Sequence, residues 1–189
     1  SVAAEYLLLL AVLLLSADLA YAERQFTLLG PLWSWHLLLL AVVHAAIAYA
    51  FVSPLVLAAS LTALAGWFGV GGTAGELLRL SYSEAEFGAH ALACAALIAG
   101  WRYADRRARP RSRFTDVFDH FAVNLAFWGA IAWCGEWPWL AAGLPLLAVL
   151  TYGAIRRGLA EGRETFLVYG TVYAAIGVCA AALPHIHGT

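Results

Sequence analysis

The sequence predicts an all-α integral membrane protein, a single domain over residues 1–189 with a bundle of about seven transmembrane helices and a range of six to eight. Hydrophobic residues make up 63% of the chain and charged residues only 12%, and the mean hydropathy is +0.77, far from the balance of a soluble domain. Runs such as "EYLLLLAVLLL" and "WSWHLLLLAVV" are continuously apolar, whereas a membrane β-barrel would alternate over segments of about ten residues. The spans are therefore predicted to be helices.

Seven apolar runs have the roughly 17 to 25 residues that a helix needs to cross a hydrocarbon core of about 30 Å. They lie at 3–22, 33–52, 54–71, 85–103, 115–135, 138–155 and 165–183. The third is the least well defined, because Ser53-Pro54 leaves almost no loop before it and "GVGG" ends it early. The first resembles a signal peptide but has no positively charged leader, so we interpret it as a true span. Since the chain has no methionine, we expect a missing N-terminal segment upstream of Ser1.

The arginines predict the orientation of the helices, because the chain has no lysine. Nine of the eleven arginines lie in two short connections, residues 102–113 and 156–163, which two crossings separate. Short connections rich in basic residues stay on the cytoplasmic side of a membrane. We therefore predict a multi-pass protein of the inner (cytoplasmic) membrane, with the N-terminus and both arginine-rich loops inside and the C-terminus outside.

Small side chains recur at four-residue spacing in the fourth and seventh spans, which lets helix backbones approach closely in lipid. The predicted packing residues are Ala89, Ala93, Ala96, Gly100, Gly170, Ala174, Gly177 and Ala181. These two helices are expected at the centre of the bundle or against a partner, either another membrane protein or a second copy of the chain. The lipid bilayer is the other expected partner, and binding of nucleic acid is not expected.

The fifth span begins with four polar side chains in an otherwise apolar run, and three interpretations stay open: a structural role, a functional role and contact with a partner subunit. The four are Asp116, Asp119, His120 and Asn124. In the structural interpretation, the acids lie in the first turns, where negative charge favours the positive end of the helix dipole and arginines are within reach. In the functional interpretation, Asp116, His120 and Asn124 follow at four-residue steps and form one polar stripe. A carboxylate beside an imidazole is a candidate proton relay, because imidazole titrates near neutral pH.

Histidines on the second and fourth spans form another candidate site. His36 and His90 lie at similar depth on spans that run in the same direction, and Glu86 comes one turn before His90. Two facing histidines would suit axial ligation of a b-type haem, and nitrogen and carboxylate donors together would suit zinc or copper. Because no recognised ligand motif is present, the leading expectation is no cofactor, with haem b as the alternative. His44, near mid-membrane, is interpreted as a hydrogen-bonded core histidine.

The chain lacks residues that several classes of membrane protein require. Without lysine there is no Schiff base to retinal, which excludes a conventional rhodopsin. Because G-x-S-x-G, H-E-x-x-H and P-loop patterns are missing, proteolysis and nucleotide hydrolysis have no candidate residues. Cys94, Cys134 and Cys179 fall inside apolar runs without a C-x-x-C pair and are interpreted as small buried hydrophobic side chains. No catalytic residue is predicted.

The segment "FLVYGTVYAAIGV", Phe166 to Val178, follows the loop "RRGLAEGRE" and carries aromatic and glycine residues along one helix. In these features the last quarter of the chain resembles the last helix of a class of bacterial predicted membrane proteins whose domain has no assigned function. The resemblance implies a polytopic inner-membrane protein, often with a soluble N-terminal segment. It supplies no catalytic or binding residue.

Together these patterns favour a non-enzymatic, polytopic membrane protein that packs against other helices as a subunit or scaffold of an assembly. The second hypothesis is a transporter or channel for a small solute, an ion or protons. It would use the polar start of the fifth span on the inner side and His36, Glu86 and His90 towards the outside. The third hypothesis is a haem-bearing electron carrier with His36 and His90 as ligands.

Overall fold

A computed structural model describes residues 2–27, 29–32, 34–69 and 84–187. Every regular element in these residues is helical and none is a strand, which confirms the all-α prediction. The seven α-helices of the described residues are α1 (Val2–Phe26), α2 (Trp35–Phe51), α3 (Pro54–Gly69), α4 (Glu84–Ala108), α5 (Thr115–Gly135), α6 (Leu140–Glu161) and α7 (Glu164–His187). A single 3₁₀ turn, Gly30–Leu32, lies between α1 and α2.

The helices differ from the predicted spans mainly at their ends. Helix α5 coincides with the predicted span at 115–135, while α1, α4, α6 and α7 all continue past their predicted ends. The added residues include charged ones such as Arg106 and Arg107, because arginine and glutamate form helices well and backbone hydrogen bonding does not stop where the apolar run stops. The predicted end of the third span, at residues 70 and 71, lies outside the described residues, as does the C-terminus.

By length and composition, three helices of the described chain could cross a membrane. They are Ala3–Phe26, Thr115–Gly135 and Glu164–Ala182. Helices α2 and α3 are also apolar but shorter, with 17 and 16 residues. The number of helices in the described residues agrees with the predicted seven, and the prediction that they cross a membrane stays a prediction.

Contacts along the chain divide it into two compact units. The first comprises Ser1–Gly75 and Gly100–Asp119, and the second comprises Glu76–Ala99 and His120–Thr189. Helices α4 and α5 each contribute one part to each unit. The two units are described separately below.

In the first unit α2 and α3 form a hairpin, and α1 packs against both. Val52 ends α2 in the left-handed region, with φ at 52°, and this reversal allows α3 to begin at Pro54. The hairpin is closed by buried apolar side chains such as Leu57 and by one buried polar contact, in which the Ser60 hydroxyl donates to the Ala41 carbonyl over 2.7 Å. Hydrogen bonds of this kind join neighbouring helices in an apolar environment.

In the second unit α6 packs along α7, and a buried cluster around Phe127 and Leu147 joins them to α5. Glycines of α7 make this packing possible. A Cβ on Gly170 would lie 2.8 Å from Ile155 Cγ1, and a Cβ on Gly177 would overlap Leu147. Both glycines were among the predicted packing residues, and both are buried against α6.

The second unit also contains a close approach of α4 and α5, through Gly88 and Gly129. A Cβ on Gly129 would lie 2.7 Å from Leu92 Cγ and 2.8 Å from the Gly88 carbonyl oxygen. Trp133 covers Gly88, and its indole N–H donates to the Ala85 carbonyl over 3.1 Å. This crossing was not predicted, because each glycine stands alone on its helix without a small partner at four-residue spacing.

Candidate functional site

The predicted polar residues at the start of α5 fall on both sides of the division between the units. In the first unit Asp119 is almost fully buried, with a side chain 4% exposed, and forms an ion pair with Arg102. Arg102 Nε lies 2.5 Å from Asp119 Oδ1, and Arg102 Nη2 donates to Asp119 Oδ2 over 3.1 Å. One charge-assisted hydrogen bond, from Nη2, and the close ion-pair contact of Nε hold the two side chains together, although Nε itself makes no hydrogen bond to any described residue. Asp116 is exposed in the first turn, where its charge favours the helix N-terminus.

A second buried carboxylate of the first unit, Asp105, was missed as a site residue. The Tyr49 hydroxyl donates to Asp105 Oδ1 over 3.0 Å, and the Trp101 indole N–H donates to the same hydroxyl over 3.1 Å. The Arg109 guanidinium lies 4.5 Å from the centre of the Tyr49 ring, and Phe114 meets that ring edge-on at 4.9 Å. In the sequence Asp105 is the one acidic residue inside the arginine-rich segment 102–113, and this could have marked it as a site residue. The net positive charge of the segment alone does not reveal it.

In the second unit His120 and Asn124 meet two tyrosines of α7, and these four residues are called the α5–α7 polar array. His120 Nδ1 and the Tyr169 hydroxyl lie 3.2 Å apart, and the Tyr173 hydroxyl donates to Asn124 Oδ1. The Asn124 amide donates to the His120 carbonyl over 2.7 Å. All four residues are half-buried. The sequence predicted that His120 and Asn124 share a face, and the structure supplies the tyrosines as their partners.

The predicted haem or metal residues are each placed within one unit. In the first unit His36 Nε2 lies 3.3 Å from Glu23 Oε2, and the Glu23 carboxylate also accepts the Gly30 backbone N–H over 3.0 Å. In the second unit Glu86 is exposed and His90 is half-buried. Among the described residues, no group of three or more His, Cys, Asp or Glu side chains is placed to hold a metal ion. The haem hypothesis stays a prediction.

The remaining core histidine, His44, lies in the first unit. It is buried, and its Nε2 lies 3.1 Å from the Ser16 hydroxyl. Ser16 also donates to the Val12 carbonyl, one turn earlier in α1. The contact joins α2 to α1, in agreement with the interpretation of His44 as a hydrogen-bonded core residue.

The predicted packing residues of α4 and α7 differ in their surroundings. On α7, Ala174 is half-buried and Ala181 packs against the cluster around Phe127, beside the two buried glycines. On α4 the predicted residues are exposed, and they are Ala89, Ala93, Ala96 and Gly100. A Cβ on Gly100 would meet nothing within 4 Å. A packing role for this face of α4 against another chain stays a prediction.

The chain matches no protein-family model, no curated protein and no solved structure. Its chemistry is therefore inferred from the clusters themselves. The Arg102–Asp119 pair and the α5–α7 polar array each connect two helices through groups that would be costly to leave without partners in an apolar environment. The contact of His120 with Tyr169 can in addition pass a proton between imidazole and hydroxyl.

Proposed function

We propose that the chain is a multi-pass membrane protein whose role is structural, as a helix-packing subunit or scaffold. The observation that carries the membrane assignment is the outward direction of large apolar side chains. On α1, Leu7 and Leu14 are 66% and 58% exposed, while Val12 is 2% exposed. Further exposed examples on the other helices are Val42, Leu97, Val149, Val168, Val172 and Ile176. Soluble monomers rarely expose contiguous apolar patches above a few hundred Å², so these surfaces favour an acyl-chain environment.

Polar side chains on the same helices support the membrane assignment, because they are buried where the large apolar side chains are exposed. Asp119, Asp105 and His44 are buried, and each has a polar partner within its own unit. The hydrocarbon core offers no water to polar groups, so ionisable side chains at membrane depth need partners inside the protein. Apolar side chains outside and paired polar side chains inside are what a bilayer requires.

The proposed orientation places segments 102–113 and 156–163 in the cytoplasm and the turn before α6 outside. It is tested in a cysteine-free background with Ala108→Cys, Ala160→Cys and Trp137→Cys, all at exposed positions. A membrane-impermeant maleimide should label the first two only in inverted vesicles and the third only in intact cells. Labelling of the first two from opposite sides would overturn the orientation. Recovery of the chain in solution without detergent would overturn the membrane assignment.

The structural role is supported by what the polar clusters connect. The Arg102–Asp119 pair joins the end of α4 to the start of α5, and the α5–α7 polar array joins α5 to α7. Contacts of this kind hold helices together in a membrane. In mild detergent the purified protein should therefore have the native mass of a defined complex, either of several copies or with a second membrane protein. A solitary monomer in every mild detergent would contradict the role of subunit.

A second candidate function, proton-coupled transport, is favoured by one observation, the contact of His120 with Tyr169. If the α5–α7 polar array conducts protons, His120→Ala should abolish pH-dependent flux in proteoliposomes. Thr171→Ala is the control, because Thr171 is exposed on α7, the helix of Tyr169, and its hydroxyl donates to the Leu167 and Val168 carbonyls of that helix. Unchanged flux in His120→Ala would exclude the relay and favour the structural role.

A further inference from the structure

A cleft of about 320 Å³ lies along the last two turns of α4, within the first unit. Its lining in the described part of the chain consists of Arg102, Tyr103, Arg106 and Arg107, and it is called the arginine cleft. Because these residues are adjacent or four positions apart, they occupy one side of the helix. Tyr103, Arg106 and Arg107 are exposed. The arginine cleft is therefore open and cationic.

The carboxylates of this segment are too few to balance its guanidiniums. Residues 102–119 contain six arginines and three aspartates, so three guanidiniums keep their charge even when every aspartate takes one. Asp119 takes Arg102. Neither Arg106 nor Arg107 forms an ion pair with a carboxylate of the residues that the structure describes. The positive charge of the arginine cleft therefore resides on these two side chains.

The arrangement of the side chains favours an anion in the arginine cleft. The guanidinium of Arg107 lies 4.7 Å from the centre of the Tyr103 ring, one turn earlier on α4. A guanidinium stacked on an aromatic ring keeps its charge and presents the N–H donors at its edge. Arg106 follows Arg102 by four residues, and like charges at this spacing repel each other. A bound anion would accept hydrogen bonds from these donors and reduce the repulsion.

We propose that the arginine cleft binds a phosphomonoester group. Such a group carries a charge of about −1.5 to −2 at neutral pH and three acceptor oxygens, which matches the two guanidiniums of Arg106 and Arg107. The planar fork of N–H donors on arginine fits phosphate oxygens and gives charge-assisted hydrogen bonds. A carboxylate offers only two oxygens and one charge, so it would satisfy the pair less completely.

The phosphomonoester comes either from a lipid headgroup or from a soluble compound, and two probes distinguish these sources. The lipid source rests on the proposed function. The predicted span ends at residue 103, so Arg106 and Arg107 follow it within about one turn. In a bilayer this position is the level of the headgroups, where clustered arginines attract anionic lipids. The soluble source does not depend on the bilayer.

Native mass spectrometry of the whole chain in a maltoside detergent tests the proposal with two lipids of identical chains, dioleoyl phosphatidic acid and dioleoyl phosphatidylglycerol. The first ends in a phosphomonoester, whereas the second carries a phosphodiester with a single negative charge. Phosphatidic acid should bind the unaltered chain about tenfold more tightly, equivalent to about 1.4 kcal/mol. Glycerol 3-phosphate is the second probe, because it has the same phosphomonoester without acyl chains. If it displaces phosphatidic acid, the source is soluble, and if it does not, the source is the lipid.

Two double variants separate binding in the cleft from general attraction to positive charge. Arg106→Gln with Arg107→Gln removes two charges from the arginine cleft and should lower the affinity for phosphatidic acid about tenfold. Arg111→Gln with Arg113→Gln removes two charges from exposed positions of the same segment outside the described cleft lining and should leave the affinity unchanged. Both variants should keep the circular dichroism spectrum of the unaltered chain, because all four positions are exposed.

Two results would overturn the proposal. The first is equal affinity of the unaltered chain for the two lipids, which would show no preference for a phosphomonoester. The second is an equal loss of affinity in the two double variants, which would show diffuse attraction to the segment rather than a site. Failure of the proposed function is distinguishable, because it would appear as a chain that stays in solution without detergent, before any lipid is added.

Discussion

The crossing of α4 and α5 predicts that one added methyl group will destabilise the second unit. In Gly129→Ala the new Cβ would lie 2.8 Å from the Gly88 carbonyl oxygen and 2.7 Å from Leu92 Cγ. The leucine can change rotamer, but the carbonyl belongs to a helix backbone and cannot turn away. Since carbon–oxygen contacts between helices are about 3.3 Å or longer, the two helices would have to separate by about 0.5 Å.

The size of the effect follows from two opposing terms. Overpacking of a close contact costs about 1–3 kcal/mol. Replacing glycine by alanine inside a helix contributes about 0.8–1 kcal/mol in the opposite direction. Gly153→Ala gains the helix propensity of alanine without the cost of overpacking, because a Cβ on Gly153 meets nothing within 4 Å. The free energy of unfolding of Gly129→Ala should therefore lie about 1–3 kcal/mol below that of Gly153→Ala.

The comparison is made by thermal or denaturant unfolding in detergent micelles, followed by circular dichroism. Near-ultraviolet signals are informative, because Trp133 lies over Gly88 and its indole bonds to the Ala85 carbonyl. A difference of 1 kcal/mol corresponds to about 2–4 °C in Tm for a chain of this size. If Gly129→Ala is as stable as Gly153→Ala, the close approach of the two helices is wrong.

Four other results are expected. Asp119→Asn should lower the free energy of unfolding in micelles by about 3–5 kcal/mol, because it leaves the guanidinium of Arg102 without its counter-charge. Glu161→Gln, in an exposed pair, should cost at most about 0.5 kcal/mol, and equal losses in the two variants would contradict this reasoning. Tyr173→Phe removes a hydrogen bond of the α5–α7 polar array and should cost about 1 kcal/mol in the same assay, whereas an unchanged midpoint would show that the bond contributes nothing. The absorption spectrum of the purified protein should lack a Soret band, and a band that His36→Ala removes would establish the haem hypothesis instead.

Much of the fold followed from the sequence because apolar runs and helices have similar lengths in this chain. The predicted span at 115–135 coincides with α5, where the run is bounded by arginines on one side and by the Trp137-Pro138 turn on the other. Helix α4 continues to Ala108, five residues beyond the predicted end. Hydropathy predicts where a helix would leave the hydrocarbon core. The helix itself ends where its backbone hydrogen bonds end, and Arg106 and Arg107 continue those hydrogen bonds because arginine forms helices well.

The candidate site was less predictable, because its pairs are joined by tertiary contacts. Tyr49 and Asp105 are 56 residues apart, and no local pattern connects them. Glu23 was overlooked as the partner of His36, because charge at a helix end is expected whether or not it contacts a histidine. Such pairs depend on which helices become neighbours, and that is decided by packing over whole helix surfaces rather than by single residues.

The α5–α7 polar array shows how part of this information was nevertheless present. His120 and Asn124 are four residues apart, and so are Tyr169 and Tyr173. Residues at this spacing lie one above the other on a helix face, so two matching pairs can form two contacts at once when their helices run side by side. In an apolar environment a polar pair on one helix needs such a counterpart on another. Equal spacing of polar side chains on two spans is therefore a physical reason to predict their contact before the neighbours are known.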